Sequence, residues 1–262
     1  NPDGSVSNIS RASGASEDET RSWLVLADAL VDGYDADTGV YEQFRGYHAL
    51  TPVLAADLAT PPYAADVLFG RERVAATQVI KQPDVLMLHH LVPDEVSPGS
   101  LLPNLAYYGP RTSHGSSLSP AVMAALLARA DLPDEALGLL RAAAQIDLAD
   151  AHGMSTAGLH LAAMGGAWQA VLVGFLGARV TSGTLLLDPV LPADWGCVEV
   201  RFRCLGRRLR VTVDRRKIEV ETDGRLRLGV AGRPPRNVRG TVVVDARQNG
   251  PTVGTTRRAH RG

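Results

Sequence analysis

Apolar residues along this chain keep helical spacing up to about residue 181 and two-residue spacing after it. In the first part, residues 17–31 (EDETRSWLVLADALV) place an acidic turn ahead of an apolar run and predict a helix. Residues 70–92 (GRERVAATQVIKQPDVLMLHHLV) are helical in pattern but interrupted by Pro83, which pushes Gln82 away from α geometry. Ser119 reads as an N-cap and Pro120 as the first helical residue of SPAVMAALLARA. A second helix is predicted to start near Pro133, with Asp134 and Glu135 in its first turn. Helix, short loop, helix is the unit of an array of helical hairpins.

An uncharged run from Thr156 to Ala178 follows. It is long enough to span a bilayer, but its five glycines, His160, Gln169 and Trp168 favour a helix buried in a larger soluble domain. Trp168 reads there as core rather than as a platform for a sugar. From about residue 181 the pattern turns to strands. Val198, Val200, Phe202 and Cys204 alternate with Glu199, Arg201 and Arg203, which predicts a small antiparallel β domain with one wet face. LGRRL and DRRK are its turn candidates. The expected organisation is loop over 1–18, a helical domain over 19–180, a β domain over 181–230, and a disordered basic tail over 231–262.

Composition narrows the function classes. The chain has 262 residues, 45% hydrophobic and 21% charged, enough to bury a full core. A net charge of −1 points to neither nucleic acid nor an acidic membrane. Its two cysteines, Cys197 and Cys204, have no metal-type spacing and form no disulfide framework, so a reducing cytoplasm is expected. His89 and His90 lack further ligand spacing, and no metal is expected.

Four polar islands interrupt the apolar sequence of the helical part: YEQFRGY (41–47), KQPD (81–84), HGSSLS (114–119) and GLHLAAMGGAW (158–168). Each stands beside a helix end or break. In an array of hairpins, such loops gather at one end around a cavity. On the residues alone, Ser116 and Ser117 fit helix capping as well as an anion site. His160 fits a satisfied core histidine as well as a ligand. Lys81 fits a helix-dipole partner as well as a substrate contact, and Glu42 fits a buried structural carboxylate as well as a site residue. An anion site would draw on the openness of Gly115, the serine hydroxyls and amides, and the positive end of the following helix.

The order YEQFRGY, KQPDV, NLAYYGPRTSHGSSLS, DL, GLHLAAMGGAW with GFLGARV, and then DPVLPADW ahead of a strand-rich stretch, resembles glycoside hydrolase family 65 over residues 20 to 225. That family includes maltose, trehalose and kojibiose phosphorylases and some hydrolases. The resemblance implies an α-plus-β fold: part of an (α/α)6 barrel of helical hairpins followed by a small antiparallel β-sandwich. It implies Lys81 and Gln82 as glucose-binding residues. It implies His114, Gly115, Ser116, Ser117 and His160 around a phosphate, with Pro83 in place of the family's more usual alanine. The implied reaction is inverting phosphorolysis of an α-glucosyl disaccharide of the trehalose, maltose or kojibiose type. The products would be β-glucose 1-phosphate and glucose.

Inorganic phosphate would be co-substrate and no cofactor is expected. The implied partners are the disaccharide and phosphate, without nucleic acid or membrane; a homodimer is compatible with the resemblance. The family's general acid is a glutamate in a motif upstream of YEQF. No such motif stands between Asn1 and Tyr41, where Glu17 and Glu19 fit capping. The acid is therefore expected on a preceding part of a longer enzyme. Two alternatives remain: a trehalase-like hydrolase of the same family, for which Asp94 and Glu95 are the candidate bases, and an inactive fragment lacking its acid.

Overall fold

The computed structural model describes residues 14–150, 156 and 158–246. It contains an array of helices followed by a curled β-sheet. Helix α1, Glu17–Ala29, opens with a capping box. Ser16 accepts from the Glu19 backbone, and the Glu19 carboxylate accepts from the Ser16 backbone. A two-stranded hairpin follows, β1 (Tyr34–Asp35) with β2 (Val40–Tyr41). Short helices α2 (Ala55–Leu58), α3 (Ala65–Phe69) and α4 (Arg71–Ala75) come next. Then come α5 (Asp84–Leu91) and α6 (Leu101–Tyr108). The hairpin α7 (Ser119–Arg129) and α8 (Pro133–Gln145) precedes α9 (Leu161–Gln169), which continues as a wider π turn through Ala170–Phe175.

The break inside 70–92 is longer than a single proline demands. Helix stops at Ala75 and resumes at Asp84, with Pro83 in the N-cap position. Between them the backbone finds partners on neighbouring segments: Gln78 N–H donates to the Thr51 carbonyl and Ile80 N–H to the Arg111 carbonyl, both at 2.9 Å. Extended pairing outcompetes local helix here. Tyr47, Tyr108, Leu86 and Leu126 form the core beneath this region.

Helix α7 is the centre of the helical part, with nine of its eleven residues buried. Two glycines let the following helix lie against it. A Cβ on Gly166 would meet Ala121 Cβ at 2.9 Å, and one on Gly174 would meet Ala125 Cα at 2.7 Å. The contacts advance in the same direction along both helices. The N-termini of α7 and α9 therefore sit at one end of the array. Trp168 is 47% exposed rather than core, because the α7-facing side of α9 is taken by these small residues. Among the described residues no helix is long and apolar enough to cross a membrane.

The β region is one six-stranded sheet: β3 (Arg179–Thr181), β4 (Thr184–Leu187), β5 (Cys197–Cys204), β6 (Arg207–Asp214), β7 (Lys217–Val230) and β8 (Arg236–Asp245). Its order is β3-β4-β7-β6-β5, with β8 on the other side of β7. The predicted alternation holds in β5, where Val200 is buried and Glu199, Arg201 and Arg203 are exposed. Leu205 and Gly206, both at positive φ, make the two-residue turn of the β5–β6 hairpin. The Asp214 carboxylate caps the next turn by accepting from Arg216 and Lys217 backbone N–H groups. Cys197 and Cys204 are unpaired residues of β5.

Two expectations are corrected. The sheet is not wholly antiparallel, since β4 and β7 pair in parallel. The stretch expected as a tail from residue 231 carries β8, paired antiparallel with β7 from Lys217 to Thr222 and again from Leu226 to Leu228. Its buried Val238 and Val244 join the sheet's core. The other tail residues, 247–262, lie outside the described residues, as do 1–13 of the expected N-terminal loop.

Candidate functional site

A cavity of about 910 Å³ opens at the end of the array where α7 and α9 begin. Lys81, Gln82, Gly115, Ser116, Ser117 and His160 line it, together with Gln43 and Asp84. Three helix N-termini therefore border one space: α5 through Gln82 and Asp84, α7 through Ser116 and Ser117, and α9 through His160. Unpaired N–H groups and the partial positive charge of helix starts favour an anion in such a place.

The lining is assembled by backbone pairing. Ile80 and Thr112 form a parallel bridge. Ser113 N–H donates to the Ile80 carbonyl at 2.8 Å, and Gly115 N–H donates to the Lys81 carbonyl at 3.1 Å. These bonds set Lys81 beside the serine loop. Tyr63 N–H donates to the Ser113 carbonyl at 2.9 Å, which brings a third segment onto the loop. A Cβ on Gly115 would stand 2.8 Å from the Tyr63 carbonyl oxygen, 3.1 Å from Ala64 Cα and 3.2 Å from Lys81 Cγ. The glycine is required by this packing, a different reason from the open approach to a ligand read from the sequence.

His114 does not join the lining. At φ 52° it turns its Nδ1 to the Ser119 Oγ at 2.8 Å. Burial lowers its pKa to about 4, so the ring is neutral and brings no positive charge at ordinary pH. This revises the expectation that placed it among the phosphate groups. It also revises Ser119, whose hydroxyl bonds His114 instead of capping, the N-cap position being Leu118.

Gln82 Nε2 donates to Asp84 Oδ1 at 3.0 Å and Gln43 Nε2 donates to Asp84 Oδ2 at 3.3 Å. One carboxylate thus aligns two amides on the same wall. Glu42 is a structural carboxylate whose Oε1 accepts from the backbone N–H of Gly46 and His48. Gln43 and Asp84 stand within YEQFRGY and KQPD, so motif membership was the signal available for them. Asp147 gave only the dipeptide DL. Its Oδ1 lies 2.6 Å from His160 Nδ1, and its Oδ2 accepts the His160 backbone N–H at 2.9 Å. The hydrogen bonds from His160 hold the Asp147 carboxyl below the usual carboxylate range.

His89 is core: it is 2% exposed, with Nδ1 at 3.0 Å from the Val85 carbonyl and Nε2 at 3.0 Å from Ser100 Oγ. A second polar cavity, about 400 Å³, lies where the helices meet the sheet and is lined by Arg129, Asp131, Arg179 and Asp188 among others. Its two guanidinium groups share the lining with two carboxylates, so its charge is balanced.

Sequence and structure comparisons converge on one family. Residues 5–169 match the glycosyl hydrolase family 65 central catalytic domain, and residues 178–236 match the C-terminal domain of the same family. The kojibiose phosphorylase of Escherichia coli is 33% identical over 230 residues, which cover 86% of this chain and 30% of that protein. The α,α-trehalose phosphorylase of Geobacillus stearothermophilus is 36% identical over 204 residues, 78% of this chain and 27% of that protein. A solved structure of a candidate kojibiose phosphorylase from the human microbiome superposes with a TM-score of 0.80 at 25% identity, covering 91% of this chain and 32% of that one. The chain spans about a third or less of these proteins and matches two successive family domains, and it belongs to glycosyl hydrolase family 65.

Proposed function

We propose that this chain carries the phosphate side of an inverting disaccharide phosphorylase, as part of a longer enzyme whose helices complete an (α/α)6 barrel. The supporting observation is the shared lining of Lys81, Gln82, Gly115, Ser116, Ser117 and His160 around one cavity at three helix N-termini. Inorganic phosphate is the co-substrate, held by the amides and hydroxyls of Ser116 and Ser117 and by His160. Lys81 and Gln82 contact the glucosyl unit. A phosphate oxygen attacks the anomeric carbon as the glycosidic bond breaks. A carboxylic acid opposite protonates the leaving oxygen.

That acid is assigned to a preceding part of the enzyme. Glu17 and Glu19 lie in the exposed first turn of α1, where Glu19 is committed to the Ser16 capping box. The substrate is an α-glucosyl disaccharide of the kojibiose or trehalose class, after the named relatives. The unpaired cysteines suit a reducing cytoplasm.

A hydrolase needs a carboxylate to activate water. Among the described residues the carboxylate lining this cavity is Asp84, and each of its oxygens accepts an amide from Gln43 or Gln82. Phosphorolysis is therefore the favoured reading. It is tested by incubating kojibiose, trehalose and maltose with an enzyme that joins this chain to a family 65 N-terminal portion. Glucose 1-phosphate released only when phosphate is present supports the proposal. Equal turnover without phosphate, giving glucose alone, refutes it.

A further inference from the structure

Strand β5 is an edge of the sheet: among the described residues it pairs with β6 alone. The pairing keeps one register from Cys197 opposite Asp214 to Cys204 opposite Arg207. Alternate N–H and C=O groups of β5 therefore point away from β6, and among the described residues they meet no other strand. The sheet's other free edges offer less. β3 has three residues, and β8 carries Gly240 at positive φ within it.

Charge on the outer face of this edge is uneven. The register sets Arg201 opposite Arg210 and Arg203 opposite Arg208, so four arginines share one face of two strands. With Glu221 and Asp223 they line a groove of about 490 Å³. Four guanidinium groups meet two carboxylates there, unlike the balanced cavity at Arg129 and Arg179. The carboxylates at hand are already engaged. Glu221 holds Arg210 at 2.6 Å, Glu199 holds Arg201 at 2.7 Å, and Asp223 Oδ1 accepts the Arg208 backbone N–H at 3.1 Å. Among the described residues the Arg203 and Arg208 side chains have no ion-pair partner. Like charges directly opposite each other weaken a sheet. On the other face of β5, Val200 is buried and Val198, Phe202 and Cys204 are half-buried. The edge thus presents a row of backbone groups with cations on one side and apolar side chains on the other.

We propose that the outer edge of β5 docks an extended acidic segment of a second polypeptide. Its alternate Asp or Glu side chains stand opposite Arg201 and Arg203, and the apolar residues between them continue the row of Val198, Val200 and Phe202. Backbone hydrogen bonds give the affinity, and the arginines select the partner. A second copy of this chain would bring its own Arg201 and Arg203 to the seam, whereas an acidic strand removes the excess of positive charge. The proposal does not rest on the phosphate reading above, since the edge belongs to the sheet and the phosphate cavity to the helices.

The test is titration of the peptide acetyl-Thr-Glu-Val-Glu-Val-Glu-Thr-amide into the full chain, followed by amide NMR and hydrogen exchange. Saturable binding should slow exchange at alternate residues of β5. Arg203→Glu should weaken that binding about tenfold, because one cross-strand pair turns from attractive to repulsive. The new carboxylate faces Arg208, so the sheet should keep its pairing. The same variant should gain affinity for the peptide with Lys in place of Glu, which the wild type should refuse. An acidic peptide N-methylated at the residues whose N–H groups would meet β5 should not bind. The proposal is overturned by a wild type that shows no saturable binding, by equal binding of the acidic and lysine peptides, or by binding that leaves exchange in β5 unchanged. Sedimentation showing that the chain pairs with itself, in a dimer lost in Arg203→Glu, would assign the edge to a second copy and overturn it as well.

Discussion

Replacing His114 by Asn should remove a specific part of the protein's acid sensitivity. The ring is largely buried, bonded to Ser119 Oγ, and its pKa falls from the ordinary 6.5 to about 4 through loss of solvent. The fold thus favours the neutral form. Above pH 6.5 both folded and unfolded states are neutral and the stability is complete. As pH falls from 6.5 towards about 4, the unfolded chain takes a proton that the folded one refuses, and stability is lost. At pH 4.5 that loss amounts to about 2.5 kcal/mol for this single group.

Asn tolerates the left-handed backbone at this position and can place an amide near Nδ1, so the loop should persist. Urea unfolding of wild type and His114→Asn at pH 7 and pH 4.5 isolates the term, because His89 and every other titrating group are common to both. The wild type should lose about 2.5 kcal/mol more than the variant. A difference below about 0.5 kcal/mol, near the extrapolation error, would refute the buried neutral imidazole. Phosphate binding should survive His114→Asn at pH 7, since the ring gives the site neither charge nor contact.

Two glycines give sharper expectations. Gly115→Ala drives a Cβ against the Tyr63 carbonyl oxygen at 2.8 Å, so the loop must move. It should cost about 1–3 kcal/mol in urea unfolding and abolish phosphate binding by calorimetry. Gly174→Ala meets Ala125 Cα at 2.7 Å and should push α9 from α7 at a similar cost of about 1–3 kcal/mol. It does not line the cavity, yet it should weaken phosphate binding because the starts of α7 and α9 both border that cavity.

The motifs made the site's polar islands legible, because each interrupts apolar sequence beside a helix end. What the sequence could not show was how each residue is spent. Ser119 looks like a cap, but His114 takes its hydroxyl. Gly115 looks open, but Tyr63 and Lys81 fill the space beside it. Asp147 is thirteen residues from His160 and carries no local signal for a bond that only the return of the chain creates. The same holds for secondary structure. Period-two alternation announced β5 and β6, whereas β8 was hidden by the Gly, Pro and Arg content around it and owes its strand to pairing with β7. Residues 77–82 fit a helix in pattern but leave it because their backbone pairs with two neighbouring segments, around Thr51 and over 111–115.

Phosphate titration of the full chain, followed by amide NMR, tests the central claim most directly. The signals of Gly115, Ser116 and Ser117 and the His160 ring should shift together and saturate at one phosphate, and Ser116→Ala should weaken that response. Shifts confined to the Arg129–Arg179 cavity, or none at these residues, would contradict an anion site at the three helix starts.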